Sequence, residues 1–82
     1  MEADQALSEL LNVVIRAIVD YPDDIAVTVV HSGATVVMEL SVAKEDVGKV
    51  IGRGGAMAGA LRTLLGNTAT KYNKRAILEI LE

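Results

Sequence analysis

The sequence contains no cysteine, tryptophan or phenylalanine, and only one histidine, one proline and two tyrosines in 82 residues. Without cysteine, neither a disulfide nor a thiolate zinc site can form. The lone His31 has no second histidine to pair with, so it reads as a surface turn residue rather than a metal ligand, and neither a metal nor another cofactor is expected. The absence of Phe and Trp removes the aromatic platform on which some folds stack unpaired bases. Long apolar runs are missing too. Arg16 interrupts the richest N-terminal stretch, so no run reaches the roughly 18 residues of a membrane-spanning helix. Met1 to Asp4 are acidic and lack the basic region of a secretory signal, which makes the cytoplasm the expected location.

What the chain does contain is a 51% hydrophobic composition, ample for one core. A chain this short buries only about 60–65% of its unfolded surface and cannot divide that core, so residues 1–82 are expected to form a single domain. The net charge of −3 is mildly unfavourable for a nucleic-acid partner, but it is unevenly distributed. Residues 1–40 hold seven acids (Glu2, Asp4, Glu9, Asp20, Asp23, Asp24, Glu39) and one base, Arg16. Residues 41–82 hold seven bases (Lys44, Lys49, Arg53, Arg62, Lys71, Lys74, Arg75) and four acids. That division fits either a mixed solvated surface or a basic face set against an acidic one.

From Asp4 to Asp20, Leu7, Leu10, Leu11, Val14, Ile15 and Ile18 recur at helical spacing, with Asp4 as the expected cap. Tyr21-Pro22-Asp23-Asp24 ends that helix, because proline disfavours helix in the residue before it and aspartates favour turns. Ile25 to His31 and Thr35 to Val42 alternate with period two around Ser32-Gly33, which predicts an antiparallel hairpin with one buried face. Lys44 to Ile51 reads as a short helix with Val47, Val50 and Ile51 inward and Gly48 allowing a close approach. Met57, Leu61, Leu64, Leu65, Thr68 and Tyr72 predict a further helix, weakened around Gly66-Asn67-Thr68 and expected to bend or fray there. Arg75 to Leu81 reads as a last strand. The order is helix, strand, strand, helix, helix, strand: an α+β fold with a three-stranded mixed sheet packed on one face by helices. The two-helix crossover places the second and third strands parallel if they are neighbours.

The stretch that carries chemistry is Val50-Ile51-Gly52-Arg53-Gly54-Gly55. Three glycines around one arginine permit backbone conformations that other residues resist, and remove the side chains that would keep a ligand from the main chain. The residues from Ala56 onward favour helix, so the positive end of a helix dipole is expected beside the turn, where it suits phosphate. Dinucleotide and P-loop motifs also place glycines before a helix, but those follow a strand and carry other signatures, and no nucleophile–base pair is evident. An enzyme is therefore not expected.

This segment resembles the Ile-Gly-x-x-Gly signature of KH domains, with Gly52 and Gly55 as the framing glycines. The whole chain is similar to the small bacterial single-domain KH proteins of the KhpA type, through Val42 to Gly52 and Ala60-Leu61-Arg62-Thr63 in particular. The resemblance implies a type II KH fold, binding of single-stranded RNA, and a role as RNA chaperone or post-transcriptional regulator linked in the family to cell elongation and wall homeostasis. It also implies pairing, with a second copy or with another KH-containing RNA-binding protein. Carried onto this sequence, Gly52, Arg53, Gly54 and Gly55 would hold the RNA backbone, with Lys49 extending the basic rim. Val50, Ile51, Met57 and the strand around Met38 to Leu40 would supply the groove wall, the alternative being that most of them simply belong to the core. In the competing reading the glycine turn is only a tight connection, and small residues at Ala56, Ala58, Gly59 and Ala60 let another helix or subunit pack in a protein-interaction or dimerisation module.

Overall fold

A computed structural model describes residues 2–82. Helix α1 spans Ala3–Ile18, strand β1 Ala26–Ser32, strand β2 Thr35–Ser41, helix α2 Val47–Ile51, helix α3 Ala56–Lys71 and strand β3 Arg75–Ile80. Short 3₁₀ turns at Pro22–Asp24, Lys44–Asp46 and Arg53–Gly55 join them. The element order is the expected one. The strands lie in the order β1-β2-β3, with β1 antiparallel to β2 and β2 parallel to β3. Among the described residues no helix is long and apolar enough to cross a membrane.

The hairpin closes through Gly33 and Ala34, with Ser32 opposite Thr35 and Gly33 at φ +60°, where a two-residue loop favours glycine. His31, expected in the turn, lies in β1 opposite Val36 and is exposed. Its Nε2 meets the Asp4 carboxylate. A second difference is that Asp4 is not the cap of α1. Glu2 holds the cap position without a side-chain hydrogen bond, and Asp4 sits inside the first turn, where its charge suits the helix dipole.

The core is filled from one side of the sheet. Val36, Met38 and Leu40 of β2 are fully buried, as the period of two requires of a central strand covered on one face. Leu7, Leu11 and Ile15 of α1 and Leu61, Leu65 and Ala69 of α3 meet them, together with Val50 and Leu78. The spacing in α3 differs from the expected stripe. Leu64 is exposed and Ala69 is buried, because the helix turns the face through Ala58, Leu61, Leu65 and Ala69 inward and leaves Leu64 on its flank. Nor does α3 bend or fray at Gly66-Asn67-Thr68; it runs unbroken to Lys71. Hydroxyls of Thr63, Thr68 and Thr70 donate to the carbonyls four residues back, so these polar residues find partners inside the helix.

Candidate nucleic-acid interface

The glycine loop is the connection between α2 and α3. Helix α2 ends when the Gly52 amide donates to Gly48 O at 2.9 Å, and Gly52 then turns to φ 78°, ψ 173°. Close packing also bears on this residue, since a Cβ there would lie 2.7 Å from the backbone nitrogen of Met57. Gly54 and Gly55 follow at φ 61° and 79°, and a Cβ on either would meet no atom within 4 Å. Backbone conformation, rather than packing, calls for these two glycines, and the space over them is open. Gly48, by contrast, is exposed and has open space around it, so no close approach depends on it.

Within the loop the Gly55 amide donates to Gly52 O and the Ala56 amide to Arg53 O. The turn therefore uses the amides nearest the start of α3, and those of Arg53 and Gly54 are not used by the loop itself. Helix α3 begins with Gly55 as cap, has no side-chain cap and carries no acid in its first turn. The positive end of a 16-residue helix thus stands beside the loop without a carboxylate to neutralise it. Arg53 is exposed, and among the described residues no carboxylate pairs with it.

The flanking residues divide into two groups. Ile51 and Met57 border the loop and are half-buried, each with part of its surface open. Val50, Met38 and Leu40 are fully buried, so of the two readings open for them they belong to the core and do not line a groove. Ala58 likewise belongs to the protein's own core, whereas Ala56, Gly59 and Ala60 are exposed.

Lys49, expected on a basic rim, is shared between two carboxylates. Its ammonium donates to Asp20 and to Asp46 Oδ1, the latter at 3.3 Å. Asp46 is fully buried at the start of α2, where Oδ1 accepts the Asp20 amide at 3.1 Å and Oδ2 the Tyr21 amide at 3.0 Å. Burial alone would raise the Asp46 pKa, but the two backbone amides and Lys49 outweigh it and hold the carboxyl below its ordinary 3.8. Lys49 moves the other way. The Asp20 carboxylate is the main cause lifting it above 10.5, with partial desolvation opposing and Asp46 adding to the rise.

Sequence reading missed Asp46, and the available signal was slight: an acid three residues before a lysine, in a segment where Lys44 and Glu45 are charged as well. It also missed Arg62, whose guanidinium reaches from α3 to donate to Leu78 O of β3 at 3.2 Å.

A helix–strand–strand–helix–helix–strand chain with its second and third strands parallel, and a Gly-Arg-Gly-Gly turn between the two crossover helices, is a KH domain of type II. Residues 8–80 match the family described as KhpA/KhpB, KH domain. The chain belongs to that family. Among similar proteins is the RNA-binding protein KhpA of Caldanaerobacter subterraneus subsp. tengcongensis, 44% identical over 75 residues, covering 92% of this chain and all of that one. The RNA-binding protein KhpA of Borreliella burgdorferi is 43% identical over 74 residues, 90% of each chain. That of Chlamydia pneumoniae is 42% identical over 76 residues, covering 93% of this chain and 97% of the relative. No solved structure matches.

Proposed function

We propose that this protein is a non-enzymatic, cytoplasmic RNA-binding protein that clamps the backbone of single-stranded RNA on its glycine loop and acts as an RNA chaperone or post-transcriptional regulator. The observation that carries this reading is the open space over Gly54 and Gly55 beside an unneutralised helix N-terminus and the unpaired Arg53. A phosphate can approach that backbone without meeting a side chain, and Arg53 can add a charge-assisted bond. The names of the relatives point the same way. Gly52 gives the loop its shape, Ile51 and Met57 offer apolar surface to bases, and Lys49 sits at the rim with its charge already engaged by Asp20 and Asp46. Without an aromatic platform, recognition rests on shape, aliphatic contact and main-chain hydrogen bonds.

The test is fluorescence anisotropy of a labelled single-stranded RNA with wild type and with an Arg53→Asp, Gly54→Asp double variant, at two salt concentrations, with folding checked by circular dichroism. Salt-dependent binding by wild type that the folded variant loses supports the reading. Equal binding by the two proteins refutes it.

Pairing with a second copy or with another KH-containing protein is favoured by a separate observation. Between α1 and α3 runs an open cleft of about 660 Å³ lined by Glu9, Leu10, Val13, Leu64 and Lys71 among others, of which Val13 (69%) and Leu64 (47%) are exposed. An apolar strip of this kind suits a partner helix. Pairing would also combine two weak loops on one RNA into a higher avidity. Sedimentation of wild type and Leu64→Glu, alone and mixed with a candidate partner, tests it; loss of a paired species in the variant is the expected result.

A further inference from the structure

We propose that Asp46 is the positioning residue of the glycine loop: its buried carboxylate fixes the start of α2 to the turn after α1, and so sets the pose in which Gly52 to Gly55 meet a ligand. The inference rests on the RNA-clamp reading for its consequence in binding, but its geometry stands alone.

Helix α2 is only five residues long, so little of its own hydrogen bonding can hold it in place. Its last residue leads directly into Gly52, and any rotation of the helix moves the loop with it. Val50 anchors one face in the core. The other fixed point is Asp46, which accepts the amides of Asp20 and Tyr21 from a segment 25 and 26 residues earlier in the chain. Lys49, one turn further along, closes the same link by joining Asp46 to Asp20. Two backbone amides, one buried carboxylate and one ammonium thus tie the end of α1 to the helix that carries the loop.

The arrangement also accounts for the choice of side chain. A carboxylate can accept both amides, one on each oxygen. An asparagine cannot, because its NH₂ group would face one of the two N–H donors in either orientation. The tie is consequently specific to an acid and sensitive to an isosteric change.

The experiment compares wild type with Asp46→Asn at a temperature where circular dichroism shows both folded. It records the backbone amide shifts of Gly52, Gly54 and Gly55 by NMR, and the anisotropy of a fluorescein-labelled oligouridylate. The expected result is displaced loop-glycine amides and RNA affinity weakened about tenfold, as follows when a site keeps its groups but loses its supporting contacts. A variant that melts earlier, yet keeps wild-type loop amides and affinity within twofold, overturns the proposal, since a purely structural acid would behave in that way. If Asp46→Asn does not fold, Asp46→Glu decides. It keeps the charge but lengthens the side chain by one methylene, so the carboxylate cannot accept the Asp20 and Tyr21 amides from the same pose of α2. Displaced glycine amides support the proposal and unchanged ones overturn it. Should wild type bind no RNA, the clamp reading fails while the amide shifts still decide the positioning role, so the two failures are distinguishable.

Discussion

Gly52 and Met57 are packed so closely that a Cβ on Gly52 would stand 2.7 Å from both the Cβ and the backbone nitrogen of Met57. The second of these atoms belongs to the first turn of α3 and cannot step aside without moving the helix. Alanine at position 52 would add this overlap to a backbone conformation almost confined to glycine, a combined destabilisation of about 2–4 kcal/mol. Alanine at Gly54, where the added atom meets nothing, incurs only the left-handed backbone strain, about 1 kcal/mol. Urea unfolding of the two variants checks the difference; equal losses would mean that the contact with Met57 yields easily.

Gly66 is the opposite case. It lies inside α3 with no positive φ, and an added Cβ would meet no atom within 4 Å. Helix propensity then decides, and Gly66→Ala should stabilise the protein by about 0.5–1 kcal/mol. For a domain of this size that raises Tm by roughly 2–8 °C. Thermal melting followed at 222 nm reads it directly, and a lower Tm would show that the helix needs flexibility at this point.

Arg53 should set the salt response of RNA binding. With roughly three phosphates held on a single strand, the log–log slope of affinity against salt is about −2, and Kd is on the order of 10⁻⁴ to 10⁻⁶ M at physiological salt. Removing one phosphate contact in Arg53→Ala should make the slope shallower by about 0.7. The measurement is an anisotropy titration across a salt series. A variant with the wild-type slope would place the phosphate contacts elsewhere, with Arg62 the next cation to test because it is exposed and uses only one of its donors on Leu78 O.

These contrasts mark how far the sequence could be read. Strand β2 was legible because Val36, Met38 and Leu40 alternate with residues of the open face, and period two admits one inward set. Helix α1 was legible for the same reason at helical spacing, with Leu7, Leu11 and Ile15 buried as the stripe requires. Helix α3 was read less well, since its inward face mixes Leu with Ala and its exposed Leu64 counts toward an apolar pattern that packing does not use. The glycine turn announced itself by composition, and what packing adds is that Met38, Leu40 and Val50 are covered completely, leaving none of their surface to the loop. The tie from Asp46 was hidden for a deeper reason. Its partners are backbone amides, which every sequence has, brought close by tertiary structure from more than twenty residues away.

That tie gives stability a pH dependence of defined sign. Asp46 titrates below 3.8 in the folded protein and near its ordinary value when unfolded, so between the two pH values the unfolded chain binds more protons. Its contribution is therefore complete above the unfolded value and is lost as pH falls through the folded one. Lys49 acts at the other end of the scale. Raised above 10.5, it contributes fully below that value and loses its contribution as pH climbs through its folded pKa. Between these limits neither group changes charge, and their link should leave stability flat with pH. Melting curves of wild type and Asp46→Asn from neutral pH into the acid range test the first limb. The variant should melt several degrees lower at neutral pH, and the gap should narrow as acid protonates Asp46 in the wild type. A gap that stays constant to the lowest pH at which both fold would mean that the carboxylate's charge does not hold the turn after α1 to α2.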